Sequence, residues 1–93
     1  MIRSFINRET ERIWNGLRSR KLPPDVQSRA LDKLRMLNRA KSLDDLRNPP
    51  SNRLHGLAGE RAGQHSISIN IQWRVCFVWK DGAAESVEIV DYH

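Results

Sequence analysis

The chain has 93 residues, 39% of them hydrophobic and 29% charged, with 16 Lys and Arg against 11 Asp and Glu for a formal net charge of +5. That length is enough for one small domain with one core, and it excludes a second domain or a large cofactor cleft. One cysteine, Cys76, excludes an intramolecular disulfide and points to a cytoplasmic setting, and the apolar runs fall far short of the ~18–20 residues of a membrane span.

The charge is uneven. Residues 1–53 carry 13 basic and 6 acidic side chains, whereas residues 54–93 carry 3 and 5. A positive field on the N-terminal half favours an anionic partner such as nucleic acid, although a solvated helix surface gives the same count.

Met1–Phe5 reads as a short extended segment without the apolar core of a signal peptide. Asn7 offers a helix N-cap, with Glu9 and Glu11 placed where the helix dipole favours negative charge. Ile6, Thr10, Ile13, Trp14 and Leu17 follow one helical face, and Gly16 with the basic run Arg18-Ser19-Arg20-Lys21 leads out of this helix. Pro23-Pro24-Asp25 starts a second helix, whose buried face is expected at Val26, Ala30, Leu31, Leu34 and Leu37. Arg29, Lys33 and Arg39 are left for its other faces.

Ser42–Leu46 suits one further turn, and Asn48-Pro49-Pro50-Ser51-Asn52 is a loop. From His65 the period changes to two: Ile67, Ile69 and Ile71 alternate with polar residues, and Trp73, Val75, Phe77 and Trp79 alternate again. Asp81-Gly82 signals a hairpin, and Val87, Ile89 and Val90 mark a last strand. The expected architecture is α+β in the order β-α-α-β-β-β, an antiparallel sheet with two N-terminal helices packed on it. The tryptophans Trp14, Trp73 and Trp79 sit at core spacing, and Cys76, inside an apolar run, reads as a buried inert thiol.

Three features could carry chemistry. Asp91-Tyr92-His93 closes the chain with groups able to move a proton near neutral pH, and strand alternation sends Asp91 and His93 to one face and Tyr92 to the other; a frayed terminus is the competing reading. Alternation also sets Arg74 opposite the face of Trp73, Phe77 and Trp79, where a guanidinium holds a phosphate through paired hydrogen bonds or forms an ordinary surface ion pair. The segment from Asn52 to Gly63 adds three glycines, Arg53, Arg61 and His55, but matches neither a Walker loop nor a dinucleotide fingerprint. His55 and His93 are too isolated to suggest a metal site. Together these residues fit RNA cleavage without a metal or other cofactor: a group takes the 2′ proton, a cation neutralises the phosphorane, and a donor protonates the leaving 5′ oxygen.

The stretches Met1-Ile2-Arg3-Ser4-Phe5, Asn52-Arg53-Leu54, Gly59-Glu60-Arg61-Ala62-Gly63-Gln64-His65-Ser66-Ile67, Gln72-Trp73-Arg74-Val75-Cys76-Phe77 and Val87-Glu88-Ile89-Val90-Asp91-Tyr92-His93 resemble, in that order, the HigB-type toxins of the RelE/ParE superfamily. The resemblance runs nearly end to end. It implies a microbial ribonuclease-like fold and a toxin that cleaves mRNA in the ribosomal A site, without metal and dependent on the ribosome, so inhibiting translation. It also implies a HigA-like helix-turn-helix antitoxin, with operator DNA bound only by the toxin–antitoxin complex and no membrane partner. By the family pattern Arg74 and Arg61 contact the phosphate, Asp91 and His93 do acid–base work, Tyr92 orients the substrate and His55 sits beside the scissile nucleotide. Arg53 is a further phosphate-binding candidate, and the basic helical face of Arg29, Lys33 and Arg39 is expected to dock on ribosomal RNA or on the antitoxin.

The sequence departs from some relatives at Ala58, where they carry a lysine, so the expectation is a weaker nuclease or one that leans more on Arg61, Arg53 and ribosomal groups. Two alternatives remain on the same fold: a ParE-like poison of DNA gyrase, and a catalytically weak toxin that binds RNA or the ribosome.

Overall fold

The computed structural model describes residues 1–91. Two helices, α1 (Arg8–Trp14) and α2 (Pro24–Arg39), precede a sheet of four antiparallel strands in sequence order: β1 (His55–Gly56), β2 (His65–Ser68), β3 (Trp73–Lys80) and β4 (Ala83–Asp91). The architecture is the expected α+β arrangement.

Local chemistry accounts for the helix ends. The Asn7 side chain accepts the Thr10 amide at 2.9 Å, an N-cap that occupies one of the unpaired first-turn donors. Gly16, at φ +79°, closes α1, with the Leu17 amide returning to the Arg12 carbonyl at 2.8 Å, the left-handed termination glycine favours. The helix therefore ends at Trp14, earlier than the apolar periodicity suggested. Ile6 and Leu17 fall outside it and are exposed, whereas Thr10 and Ile13 are buried. Helix α2 opens on Pro24 and buries Val26, Ala30, Leu34 and Leu37 as expected, with Leu31 partly buried against the core. A short 3-10 turn, Leu43–Arg47, follows with a capping box between Ser42 and Asp45.

The helices cover one face of the sheet. Ile67 from β2, Val75 and Phe77 from β3, and Val87 and Ile89 from β4 form the core with the α2 stripe and Ile13. Trp14, Trp73 and Trp79 pack against its edge. Asp81 and Gly82, both at positive φ, make the β3–β4 hairpin.

Three differences from the sequence reading have physical causes. The N-terminal segment pairs with β4 only through isolated parallel bridges, Ile2 to Ala84 and Phe5 to Val87. Ser86, at φ +52°, kinks β4 between those two bridges, which interrupts a continuous ladder. Strand β1 arises where a loop was expected. Finally, Ile71 does not extend the β2 alternation: it is 99% exposed, because the Asn70 side chain accepts the Gln72 and Trp73 amides at 2.8 and 2.7 Å and reverses the chain there.

Candidate functional site

Strand register sorts the candidate residues by face. On the side away from the helices, His55, Ser66, Cys76 and Glu88 lie in one row across all four strands, and Ser68, Arg74 and Val90 in the next. The segment between Asn52 and Gln64 folds against this second face, so it is covered as well. Arg74 is only 8% exposed and Cys76 is fully buried.

A buried guanidinium needs its donors occupied. Arg74 donates through Nε to Ser66 Oγ at 2.8 Å and through a terminal nitrogen to the Arg53 carbonyl at 2.9 Å. The same nitrogen lies 3.2 Å from His55 Nδ1. His55 Nδ1 is also 3.0 Å from the Arg53 carbonyl, so it either donates to that carbonyl or accepts from the guanidinium. Arg53 itself adopts the left-handed region, φ +48°, which turns its carbonyl toward Arg74 and sends the chain into β1. Arg74 and His55 are therefore neighbours, and the setting of Arg74 is more enclosed than a surface ion pair.

Asn52, fully buried, builds the adjoining wall. Its amide nitrogen donates to the Leu46 and Asn48 carbonyls at 3.0 and 3.3 Å and to Met36 sulfur at 3.1 Å, while its oxygen accepts Lys33 Nζ at 2.6 Å. Burial, reinforced by the neighbouring Arg29 charge, holds the Lys33 ammonium below the usual lysine range.

These elements enclose a cleft of about 330 Å³ lined by Arg29, Lys33, Arg53 and Arg74, together with Ser51, Ser68 and the Ile69–Ile71 turn. Four cations converge there, from α2, the loop before β1 and β3, and no carboxylate lies among the described lining residues. Such a concentration of like charge in a partly enclosed cleft attracts a phosphate and focuses the field on it.

The remaining candidates stand apart from this cleft. Arg61 lies farther along the same sheet face, bonded to Glu88 at 3.2 Å and to Gln64 at 3.1 Å. Asp91 pairs with Trp73 and so belongs to the helix-side face, with Gln72 donating to its two oxygens at 3.1 and 3.2 Å. Arg39 is exposed and does not line the cleft. Tyr92 and His93 lie outside the described residues. Burial pushes the Cys76 thiol up, in keeping with an inert core cysteine.

Ser66, Asn52 and Glu88 were not identified as site residues from sequence. Ser66 and Asn52 occur in the motif stretches, but their partners are 8 and 19 residues away, and only the fold reveals them. Among the described residues, no group of three or more His, Cys, Asp or Glu is placed to hold a metal, and no helix is long and apolar enough to cross a membrane.

Residues 3–93 match the family model described as the RelE-like toxin HigB of type II toxin–antitoxin systems. The chain is 40% identical to Toxin HigB-1 of Vibrio cholerae serotype O1 over 67 residues, 72% of this chain and 70% of the other. It is 29% identical to the Endoribonuclease HigB of Proteus vulgaris over the full length of both. These likenesses support the HigB reading and not the gyrase-poison alternative. The chain belongs to the HigB-like family of RelE-like toxins, the toxin half of a type II toxin–antitoxin pair and so one with an antitoxin partner.

Proposed function

We propose that the protein is an endoribonuclease that cleaves mRNA in the ribosomal A site, and that the cationic cleft around Arg74 receives the scissile phosphate. The observation that carries this reading is the convergence of Arg29, Lys33, Arg53 and Arg74 on one cleft, in a chain similar to a protein named Endoribonuclease HigB. The buried, triply contacted Arg74 side chain is held in place before substrate arrives. A preorganised cation of this kind stabilises charge that develops on the phosphorane without reorganising.

In the proposed reaction the ribose 2′ oxygen attacks phosphorus and the bond to the 5′ oxygen breaks, leaving a 2′,3′-cyclic phosphate and a 5′ hydroxyl. His93 takes the 2′ proton and returns one to the leaving 5′ oxygen. Asp91, which the register sets on the other face from Arg74, acts only by orienting His93. Tyr92 orients the substrate and His55 flanks the nucleotide beside Arg74. No metal is assigned a part. Arg61, tied to Glu88 farther along the same sheet face, acts as a secondary phosphate contact outside the cleft. The ribosome supplies the remaining positioning, which explains how 93 residues suffice. The partner is a HigA-like antitoxin with a helix-turn-helix domain, operator DNA is bound only by the complex, and the setting is the cytoplasm. The whole chain acts as one toxin domain.

The test is cleavage of a defined mRNA, with ends mapped, by the protein alone and with programmed ribosomes whose A site is empty. Cuts only with ribosomes, abolished by a 2′-deoxy substitution at the cut nucleotide, are expected. Deleting Tyr92 and His93 is expected to abolish cutting in a protein that still folds. Efficient cutting of free RNA, or of the 2′-deoxy substrate, rejects the reading.

A further inference from the structure

The second concentration of positive charge lies on the loop between α1 and α2, and no lining residue of the Arg74 cleft contributes to it. Arg12, Arg18 and Arg20 line a recess of about 350 Å³ with Glu9. The three arginines also line an adjoining one of about 550 Å³ with Ser19, Leu22, Pro24 and Gln27. Lys21 follows directly and is exposed.

This loop is held rigid. Ser19 is buried, at 5% exposure, and its amide donates to Gln27 Oε1 at 3.0 Å. The Gln27 amide nitrogen donates in return to the Ser19 and Leu22 carbonyls at 2.8 and 2.7 Å. From the other side, Arg12 donates through Nε and a terminal nitrogen to the Arg18 carbonyl at 3.2 and 2.8 Å. The loop backbone is thus bound at three carbonyls, while among the described residues the guanidiniums of Arg18 and Arg20 have no hydrogen-bond or ion-pair partner. Glu9 offsets Arg12 weakly, at 3.9 Å. A fixed loop that presents unneutralised guanidiniums side by side carries an electrostatic cost that an anionic partner relieves.

We propose that this loop is a second RNA-binding surface, which grips the phosphate backbone of double-helical RNA while the Arg74 cleft holds the cleaved strand. The double-helical assignment follows from what lines the recesses. Single-strand binders stack bases on aromatic side chains, and neither recess has one. What the loop offers is charge at fixed positions, which suits recognition of a duplex by shape and backbone. The choice of RNA over DNA rests on the proposed action at the ribosome.

The experiment measures the affinity of the full-length protein for a fluorescent RNA hairpin with a stem of about 16 base pairs, and for a short single-stranded 2′-deoxy oligonucleotide. Arg18→Glu/Arg20→Glu is expected to weaken hairpin binding about tenfold or more and to reduce the salt slope by about two phosphate contacts. Its single-strand affinity and thermal midpoint are expected to stay at wild-type values. Arg29→Glu/Lys33→Glu is expected to do the reverse. Arg18→Ala/Arg20→Ala, which removes charge without reversing it, should show the same hairpin loss in smaller measure. Equal hairpin affinity in wild type and both loop variants overturns the proposal, as does a wild type that does not bind the hairpin. A DNA duplex of the same sequence bound as tightly, through the same arginines, overturns the RNA assignment. Loop variants that keep hairpin affinity but lose antitoxin binding assign the loop to protein recognition instead. If the hairpin result holds while wild type fails to cut mRNA on ribosomes, the ribosomal reading fails and the loop's RNA binding stands.

Discussion

The two faces of the sheet are both buried, for different reasons. The helix-side face is closed by side chains at helical spacing, with Leu34, Leu37, Ile67, Val75 and Phe77 all inaccessible. The opposite face is more polar: Ser66 and Arg74 are buried there beside Cys76, and the buried Asn52 ties the loop before β1 to α2. The first arrangement is non-directional and tolerates exchange of one apolar group for another of similar volume. The second depends on each donor meeting its acceptor, since an unmet buried polar group is expensive. Apolar packing is thus concentrated on the helix side, whereas the proposed chemistry centres on Arg74 of the other face, joined at the cleft by Arg29 and Lys33 of α2.

Substitutions on each side should separate accordingly. The largest effect on stability is expected from Phe77→Ala, about 3–5 kcal/mol by the usual cost of removing a buried aromatic ring, measured by urea unfolding. Asn52→Ala leaves the Leu46 and Asn48 carbonyls without their donor and should cost about 1–3 kcal/mol. It should also weaken oligonucleotide binding, because Lys33 loses its anchor. Asn7→Ala removes the α1 cap, at a residue that does not line the cleft. It is expected to lower stability by about 0.5–2 kcal/mol with cleavage unchanged; a lost activity there would dissolve the distinction between the faces.

Smaller effects sharpen the comparison. Ala58 is exposed at the head of the Gly59–Arg61 turn, so Ala58→Lys adds a cation without disturbing the core. A rise of a few-fold in ribosome-dependent cleavage is expected, and an unchanged rate shows that the missing lysine does not limit this chain. Because burial raises the Cys76 thiol, the folded protein keeps it protonated at pH values where an exposed cysteine begins to ionise. Alkylation by iodoacetamide at pH 8.5, the ordinary thiol range, should therefore be slow in the native protein and fast in urea.

The contrast between the faces also decided what the sequence disclosed. Helix α2, with its apolar residues at 3.6 spacing, and the Asp81-Gly82 hairpin were legible because each is specified by neighbouring residues. The candidates Arg74, His55, Arg53, Arg29 and Lys33 were legible as residue types, and the fold does gather them. Their geometry was not legible. Period-two alternation places Arg74 on an outer face, and nothing local indicates that residues 53–64 cover it. Ser66 is a small polar residue in a strand until Arg74 arrives from the next strand. Ile71 misled because alternation continues through it, while the turn is set by the Asn70 side chain. The family pattern assigns Asp91 and Arg74 to one site, yet their registers place them on opposite faces.

The most direct test of the central claim, that chemistry is organised around Arg74, is the single-turnover cleavage rate of Arg74→Ala on programmed ribosomes, read beside its circular dichroism. The account predicts a folded protein whose cleavage falls by about 10²–10³-fold, the usual loss when a preorganised charge-stabilising donor is removed. It also predicts incomplete rescue by Arg74→Lys, which keeps the charge but not the planar fork. A folded Arg74→Ala variant that cleaves at the wild-type rate would contradict it.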